Sequence, residues 1–461
     1  FDKKIKILND TGLDFVYVID FSKDFANIEA NNFIENFLYK KFKPLDIIIG
    51  YDGRSHGLEI LDTVKDAVLR NNRNVTNIGL VPTPSIQFLA NKYEFSGAVM
   101  VTASHNPIEW NGLKFMDHDG CFISIEKFKL LKKKYNHFKS YREKSKKVYL
   151  RGKEDQRLYS AEEHIDDTIS LPIISQHSIS EMNYNISIDT INGGGSDAIP
   201  MLLEKLNCQL VQINDSPGVP YPRDPEPRPN NLTDLSNLVK TNSSDIGLAT
   251  DPDADRLCLV DEGGYPIIEE MSLALCTEFY CKNITGSQGI ATNLSTSQII
   301  DDIANTYGLS VMRTPVGEIN VVDAMKKNKI DFGGEGNGGI IYSGSHYGRD
   351  SIVGASMILS HLSLYEKTIS SAIDKLPKYD MAKEKFDSDV FNTSKLKSYI
   401  KDHYPKAAVN SSDGMKIVFN ESSSWIHIRP SNTEPVVRII AETSSKQETQ
   451  ELVSEFKEAL C

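Results

Sequence analysis

The chain has 461 residues, more than one hydrophobic core usually holds, and this length predicts about three or four domains. Hydrophobic residues make up 40% and charged residues 25% of the chain, as in ordinary globular proteins, and the formal net charge is -12. This charge argues against a nucleic-acid partner, which would need a basic face. The 6 cysteines lack CxxC spacing and indicate neither a disulfide framework nor a zinc site. Because no apolar run approaches the ~18 residues of a membrane span, we expect a cytoplasmic protein without a membrane partner.

Three segments, which begin at Asp46, Asn185 and Gly289, share one order of local patterns. Each has a short β-branched run, then a polar loop with glycine or serine, then an amphipathic helical pattern. This order is typical of the beginning of a βαβ unit, so we expect three similar α/β domains in series.

The first of these segments leads to two polar loops. Gly50–Ser55 ends the first predicted strand and carries Arg54, which can face a transferred phosphoryl group or form a plain surface salt bridge. Thr102–Pro107 (TASHNP) follows an apolar run and places Ser104 on an exposed turn, although the hexapeptide alone is also typical of a hydrogen-bonded turn. Lys114, just after this loop, can donate or accept a proton if its neighbours lower its pKa, whereas most lysines are simply solvated.

The second segment is followed by Asp251–Arg256 (DPDADR), where carboxylates alternate with small or rigid residues. Three carboxylates this close repel one another without a cation, and hard oxygen ligands suit Mg²⁺. A calcium-binding EF-hand loop is disfavoured because Arg256 stands where that loop needs glycine, although Glu262 falls at its twelfth position. We therefore predict a catalytic metal loop, with a solvated acidic turn as the alternative.

The third segment is followed by Gly333–Gly339 (GGEGNGG), a glycine-rich loop that contains Glu335 and Asn337. Glycines allow the backbone to approach a ligand, and these two polar side chains can hydrogen-bond the vicinal hydroxyls of a sugar. The loop matches neither GxGxxGK nor GxGxxG, which disfavours a nucleotide site. A merely flexible turn is the alternative interpretation.

The pattern changes at about residue 370, where alternating strands and a helical tail predict a smaller α+β domain. Between two of these strands, Arg429–Pro435 (RPSNTEP) supplies the arginine, hydroxyl, amide and backbone donors that a phosphate prefers, and a capped hairpin turn is the alternative. The expected domains are a phosphoserine-bearing, a metal-binding, a sugar-binding and a phosphate-binding domain at residues 1–157, 158–257, 258–369 and 370–461, respectively.

In this order, the loops resemble those of the α-D-phosphohexomutase superfamily, over nearly the whole chain from Gly50 to Glu442. TASHNP resembles its phosphoserine loop, DPDADR its metal loop, GEGNGG its sugar-binding loop and RPSNTEP its phosphate-binding loop. The resemblance implies three consecutive α/β domains with mixed sheets and a smaller C-terminal α+β domain around a central cleft. It also implies an enzyme that interconverts hexose 6-phosphate and hexose 1-phosphate through a phosphoserine and a hexose 1,6-bisphosphate, which acts as intermediate and activator.

The resemblance assigns roles to single residues. Ser104 would carry the phosphoryl group, His105 and Lys114 would act as acid/base pair, and Arg54 would stabilise charge. One Mg²⁺ per chain would be held by Ser104, Asp251, Asp253 and Asp255. The residues that would bind the phosphorylated hexose are Arg256, Glu335, Asn337, Arg429, Ser431, Asn432 and Thr433.

Two segments depart from the superfamily pattern. Asp10–Asp14 lacks the arginine of the usual Ser-Gly-x-Arg-Gly loop, and Asn337–Gly339 replaces the usual Ser-Gly-His. The other loops look most like phosphoglucosamine mutases, which favours conversion of glucosamine 6-phosphate to glucosamine 1-phosphate. A phosphomannomutase/phosphoglucomutase is the first alternative, and a catalytically degenerate sugar-phosphate-binding protein is a second one, of another class. A homodimer is left open.

Overall fold

The computed structural model describes residues 46–140, 152–155, 159–387, 392–419, 424–430 and 436–460. In this part of the chain the strands form four sheets, which follow one another along the sequence. The first three sheets share one topology: three parallel strands and a fourth, antiparallel strand at one edge. The expectation of three repeated α/β domains with mixed sheets is therefore confirmed.

The first sheet has the strand order β2-β1-β3-β4. Its elements are β1 (Asp46–Tyr51), α1 (Gly57–Arg70), β2 (Asn74–Leu80), α2 (Thr83–Lys92), β3 (Gly97–Val101), β4 (Leu113–Met116) and α3 (Ile125–Ser140). All five residues of β3 are buried, as expected for a strand covered on both faces. The loop that carries Ser104 begins directly after β3, at the carboxyl edge of the sheet, where open α/β sheets bind ligands.

The second sheet has the order β6-β5-β7-β8. Its elements are α4 (Ala161–Ile169), α5 (Gln176–Met182), β5 (Asn185–Asp189), α6 (Gly195–Lys205), β6 (Gln209–Ile213), α7 (Thr233–Asn242), β7 (Ile246–Thr250) and β8 (Leu257–Val260), with a short 3₁₀ turn at Pro229–Asn231. The DPDADR loop connects β7 to β8, which are both completely buried. Because β8 belongs to this sheet, the sheet extends past residue 257, where the sequence placed the end of the domain.

The third sheet has the order β10-β9-β11-β12. Its elements are α8 (Glu270–Asn283), β9 (Ile290–Asn293), α9 (Ile299–Thr306), β10 (Val311–Thr314), α10 (Glu318–Asn328), β11 (Phe332–Glu335), β12 (Gly339–Tyr342), α11 (Ser351–Tyr365) and α12 (Ile369–Asp374). The glycine-rich loop is the tight turn between β11 and β12. Gly338, in this turn, has φ +86°, a conformation that favours glycine.

The C-terminal sheet is antiparallel, in the order β13-β17-β16-β15-β14. Its elements are β13 (Asp380–Asp387), α13 (Thr393–His403), β14 (Ala408–Asn410), β15 (Met415–Phe419), β16 (Ser424–Pro430), β17 (Val436–Thr443) and α14 (Lys446–Leu460). Helices α13 and α14 contribute Leu396, Phe456 and Leu460 to one core with the sheet. The smaller α+β domain is therefore confirmed.

The hydrophobic cores divide the molecule differently from the sheets. One continuous cluster of buried residues runs from Ile165 to Leu376 and joins the second and third sheets. The first sheet and the C-terminal sheet each have a separate main cluster. The second and third domains thus share a core, and the exact domain boundaries stay a prediction. Among the described residues, we find no helix that is both long enough and apolar enough to cross a membrane.

Candidate active site

Ser104 lies where the first and second domains meet. Its side chain is buried, and its φ of +49° is in the left-handed region, which strains a residue other than glycine. Its amide donates to Thr102 Oγ1 at 2.8 Å. Its Oγ lies 3.3 Å from His105 Nδ1 and 3.5 Å from Asp251 Oδ2. The structure therefore brings the predicted serine loop and the predicted metal loop together.

The Arg54 guanidinium binds main-chain carbonyl oxygens of the serine loop. It donates to the carbonyl oxygens of Ser104, Asn106, Pro107 and Trp110, the last two at 2.7 and 2.8 Å. The remaining nitrogen, Nε, donates to the Asp52 carboxylate at 3.0 Å. Every nitrogen of the guanidinium thus binds the protein, and a contact of Arg54 with a transferred phosphoryl group stays a prediction. Arg54 is a positioning residue for the loop.

The three carboxylates of Asp251, Asp253 and Asp255 converge in the loop between β7 and β8. All three side chains are fully buried, and each offers an oxygen within 4.8 Å of the others. Ala254, between them, has φ +53°, which folds the loop back on itself. Within the described ranges, Asp253 Oδ1 and Asp255 Oδ1 are buried and have no hydrogen-bond partner, and Arg256 Nε lies 3.8 Å from Asp255 Oδ1. Such a donor set fits a hard divalent cation.

The electrostatics of the cluster agree with this interpretation. Burial, and then the neighbouring carboxylates, raise the pKa of Asp251 and Asp253 above the ordinary value. Burial also acts against ionisation of Asp255, but the charges of Arg349, Lys114 and Arg256 outweigh it and lower the pKa of that carboxyl. The cluster is thus held together by cations of the protein, and a bound cation would favour the ionised form of the other two carboxyls.

Lys114 is one of these protein cations. It lies on β4, opposite Met100 of β3, and its side chain is fully buried. Its Nζ is 2.7 Å from Asp253 Oδ2 and 3.1 Å from Asp255 Oδ2. The structure therefore places Lys114 against the predicted metal loop. Its acid/base role stays a prediction.

Arg256 and His105 form a second contact between the first two domains. Arg256 Nη2 lies 2.9 Å from His105 Nδ1, and since a guanidinium can only donate, Nδ1 is the acceptor. Burial, and then the charge of Arg256, lower the pKa of His105 well below the ordinary value, so the ring is neutral. The same Nδ1 lies 3.3 Å from Ser104 Oγ, and its single lone pair accepts the hydrogen bond from Arg256.

Arg349 is a site residue that the sequence analysis missed. Its guanidinium is buried and forms ion pairs with Asp255 at 2.7 Å, Glu335 at 3.0 Å and Glu318 at 3.1 Å. It thus connects the metal loop to the sugar-binding loop. The only local signal is the Gly348-Arg349-Asp350 segment that follows the glycine-rich loop, and its spacing does not distinguish a buried arginine from a surface one.

Glu335 is held by the protein on both carboxylate oxygens. In addition to Arg349, it accepts hydrogen bonds from Asn293 Nδ2 at 2.7 Å and from the amide of Gly317 at 2.9 Å. Its position is fixed before any ligand arrives, and a sugar hydroxyl would share these acceptors. Asn337, also in the loop, accepts from the amide of Gly339 at 3.2 Å and lines the central cavity.

All four domains contribute to this cavity, which has a volume of about 110 Å³. The predicted site residues among its lining are His105, Arg256, Asn337 and Arg429. Further lining residues that the sequence analysis did not single out are Glu226, Arg228, Glu269, Glu270, Lys383 and Arg438. The central cleft is therefore confirmed. Ser431, Asn432 and Thr433, like Asp10–Asp14, lie outside the described residues.

Comparisons with known proteins agree with this architecture. The chain matches four family models of phosphoglucomutase/phosphomannomutase: α/β/α domain I at residues 16–142, domain II at 162–264, domain III at 269–379 and the C-terminal domain at 389–459. It is 32% identical to a phosphoglucomutase/phosphomannomutase of Thermococcus kodakarensis, over 89% of this chain and 88% of the relative. It is 29% identical to a phosphoglucosamine mutase of Methanocaldococcus jannaschii, over 91% of this chain and 93% of the relative.

A crystal structure of a phosphoglucomutase/phosphomannomutase family protein from Burkholderia thailandensis has the same fold, with a TM-score of 0.81 at 21% identity. The similarity covers 97% of this chain and 95% of that one. The four matched domains and the relative at 32% identity show that this chain belongs to the phosphoglucomutase/phosphomannomutase family of the α-D-phosphohexomutase superfamily and is a phosphohexomutase.

Proposed function

We propose that this phosphohexomutase interconverts hexose 6-phosphate and hexose 1-phosphate through a phosphorylated Ser104 and a hexose 1,6-bisphosphate intermediate, with glucosamine phosphate as its preferred substrate. The observation that carries the proposal is the position of Ser104 Oγ, 3.5 Å from Asp251 in a buried acidic cluster and beside a cavity that also contains Arg429. A phosphoryl group on Ser104 would lie between the cation site and the sugar.

Mg²⁺ is the cation that this donor set fits best, at one ion per chain, because all available ligands are hard oxygens. Asp251, Asp253 and Asp255 would hold it together with the phosphoryl oxygens of Ser104. When bound, such an ion neutralises negative charge on the phosphoryl oxygens and on the aspartates. The two buried oxygens without a hydrogen-bond partner among the described residues support this assignment.

In the first transfer, a hydroxyl oxygen of the hexose forms a bond to phosphorus while the bond from phosphorus to Ser104 Oγ breaks. The hydroxyl proton ends on Ser104 Oγ by way of the acid/base pair, His105 and Lys114. Neutral His105 Nδ1 is 3.3 Å from this oxygen and would relay the proton to it once the hydrogen bond from Arg256 to Nδ1 is released. Lys114 is fixed by Asp253 and Asp255, which keep its ammonium close to the transferred group. Fixed charges and positioning supply most of the rate enhancement in such transfers.

In the second transfer, the other phosphate of the bisphosphate returns to Ser104, so the phosphate-binding loop must accept either phosphate in turn. Arg429 and the predicted ligands Ser431, Asn432 and Thr433 would hold the phosphate that is not reacting. A cavity of about 110 Å³ is smaller than the ~300 Å³ or more of typical ligand pockets, and we propose that the C-terminal domain, which has its own core, moves outward to admit the sugar.

Glucosamine phosphate is favoured as substrate by the resemblance of the loops and by the phosphoglucosamine mutase of Methanocaldococcus jannaschii, which is 29% identical. Glucose and mannose phosphates are the second candidate, which the 32% identity to the phosphoglucomutase/phosphomannomutase of Thermococcus kodakarensis supports.

A coupled assay with Mg²⁺ and hexose 1,6-bisphosphate, run on the three sugar 6-phosphates, tests the proposal. We expect the highest kcat/KM with glucosamine 6-phosphate and a loss of more than about 10³-fold in Ser104→Ala, because that variant lacks the oxygen that carries the phosphoryl group. Ser170→Ala, an exposed serine at the end of α4, is the matched control and should retain full activity. Undiminished turnover in Ser104→Ala would refute the phosphoserine route, and a preference for glucose or mannose phosphate would favour the second candidate.

A further inference from the structure

Three oxygen acceptors surround the ammonium group of Lys383 in the central cavity. Lys383 Nζ lies 2.8 Å from Glu269 Oε1, 3.1 Å from Glu270 Oε1 and 3.4 Å from the carbonyl oxygen of Gly336. The lysine comes from β13 of the C-terminal domain, whereas all three acceptors belong to the third domain, and Gly336 is part of the sugar-binding loop. We call Glu269, Glu270 and the Gly336 carbonyl the ammonium site.

The third domain builds this site without help from Lys383. Glu269 and Glu270 are 7% and 3% exposed, and the amide of Ser297 donates to Glu270 Oε2 at 3.1 Å. A Cβ on Gly336 would come within 2.0 and 2.2 Å of the two Glu270 oxygens, so this carboxylate lies directly against the loop backbone. The Lys383 side chain is 22% exposed, which makes it the more accessible member of the contact.

Two adjacent buried carboxylates need a cation. Burial raises the pKa of Glu270 to about 7, although Lys383 acts in the opposite direction. The two carboxylates face the Lys383 ammonium that contacts them, so these acceptors favour an ammonium group when both glutamates are ionised. A neutral hexose brings only hydroxyl groups to this place, whereas an amino sugar brings an ammonium group that suits the same three acceptors.

The site lies in the path of a bound sugar. The same cavity contains His105, which is part of the serine loop, and Arg256, whose guanidinium contacts His105. It also contains Arg429 of the predicted phosphate-binding loop. A hexose that reaches from Ser104 to Arg429 must therefore pass through the cavity that Glu269 and Glu270 line.

We propose that Glu269, Glu270 and the Gly336 carbonyl bind the ammonium group of an amino-sugar phosphate, and that Lys383 occupies this site in the absence of substrate. The inference rests on the proposed function and names the residues that separate amino sugars from neutral hexoses. The substrate ammonium replaces the lysine ammonium, so no buried carboxylate loses its counterion during the exchange. Because Lys383 belongs to the C-terminal domain, its release accompanies the outward movement of that domain.

The test compares kcat/KM for glucosamine 6-phosphate and glucose 6-phosphate in the wild type and in Glu270→Gln. We expect the variant to lose about 10- to 100-fold more kcat/KM with glucosamine 6-phosphate than with glucose 6-phosphate, because an ion pair between the substrate ammonium and a carboxylate is replaced by a hydrogen bond to a neutral amide. Glu226→Gln is the matched control, since Glu226 lines the same cavity but contacts Arg256, and it should affect both sugars equally. An equal loss with both sugars in Glu270→Gln would overturn the inference.

Lys383→Met tests the exchange. Removal of the resident ammonium should lower the KM for glucosamine 6-phosphate by about 3-fold or more and leave the KM for glucose 6-phosphate nearly unchanged. A rise in both KM values would show that Lys383 is a permanent structural contact and would overturn this part. A melting curve of each variant identifies misfolded protein, in which case the milder Glu269→Gln replaces Glu270→Gln.

Binding separates this inference from the proposed function. Titration calorimetry of Ser104→Ala, with and without Glu270→Gln, measures the affinity for both sugar phosphates without turnover. If the double variant binds glucosamine 6-phosphate more weakly but glucose 6-phosphate equally well, the result supports the ammonium site. This holds even if Ser104→Ala retains activity and the phosphoserine route is refuted. Equal affinities in the two proteins overturn the ammonium site while the mutase proposal stands.

Discussion

Among single substitutions in the site, we expect removal of the Arg349 guanidinium to lower the free energy of unfolding the most. Arg349→Met deprives Asp255, Glu335 and Glu318 of a buried cationic partner. Loss of one partner from a buried ion pair costs about 3–5 kcal/mol. Three such losses do not add, because Lys114 still binds Asp255, and Glu335 keeps its amide donors. We therefore expect a total loss of about 3–5 kcal/mol, a large part of the ~5–15 kcal/mol that stabilises a typical domain.

Differential scanning calorimetry in EDTA measures this loss as a shift in Tm. At about 2–4 °C per kcal/mol for a unit of this size, the unit that contains the shared core should melt about 6–20 °C lower in Arg349→Met. Arg349→Lys keeps the charge but has fewer hydrogen-bond donors, so its Tm should lie between those of the wild type and Arg349→Met. Arg70→Met is the control: its ion pair with Asp66 is exposed, so Tm should change by less than about 2 °C. An Arg349→Met protein that melts within 2 °C of the wild type would refute the reasoning.

Two further predictions concern the serine loop and His427 of β16, whose Nδ1 lies 2.8 Å from Ser295 Oγ of the third domain. Arg54→Lys loses most of the hydrogen bonds to the loop carbonyls, so kcat should fall about 10²-fold, with a smaller change in KM, in the coupled mutase assay; a kcat within twofold of the wild type would contradict the positioning role. Burial lowers the pKa of His427 from 6.5 to about 4. Because only the unfolded chain binds this proton between those values, stability is complete above about pH 6.5 and falls by up to about 3 kcal/mol as the pH drops to 4. His427→Gln should make Tm less dependent on pH in this range in calorimetric scans, and parallel curves for the two proteins would argue against it.

Local patterns were sufficient for the parts of the site that single loops provide. The alternating carboxylates of DPDADR predicted a cation cluster, because their spacing alone brings them together, and the structure gathers them within 4.8 Å. The three repeats of strand, polar loop and helix predicted the three sheets, because each repeat is a local pattern that is typical of a βαβ unit. The resemblance to the superfamily then predicted that the separate loops line one cleft.

Contacts between domains could not be predicted in this way. Arg349 lies 94 residues from Asp255, and the Lys383 contact to Glu270 spans 113 residues, so neither partner marks the other in the sequence. The superfamily resemblance gave Arg54 a role in stabilising charge, whereas four of the five partners of its guanidinium among the described residues are main-chain carbonyls, which no side-chain pattern reveals. The phosphate ligands Ser431, Asn432 and Thr433 stay predictions.

The continuous core of the second and third domains constrains how the substrate can be turned over. The aspartate cluster and Glu335 project from one packed block and are connected through Arg349. In the proposed reaction, the spacing between a cation at the aspartates and the sugar hydroxyls at Glu335 would therefore stay nearly constant. A bisphosphate that presents its two ends alternately in that reaction would have to rotate against the surface of this block. The C-terminal domain, which has its own core and carries Arg429 and Lys383, would make the adjustment. Selection among sugars and release of the product would then depend on the same moving part, which makes variants of that domain the ones most apt to change specificity and turnover together.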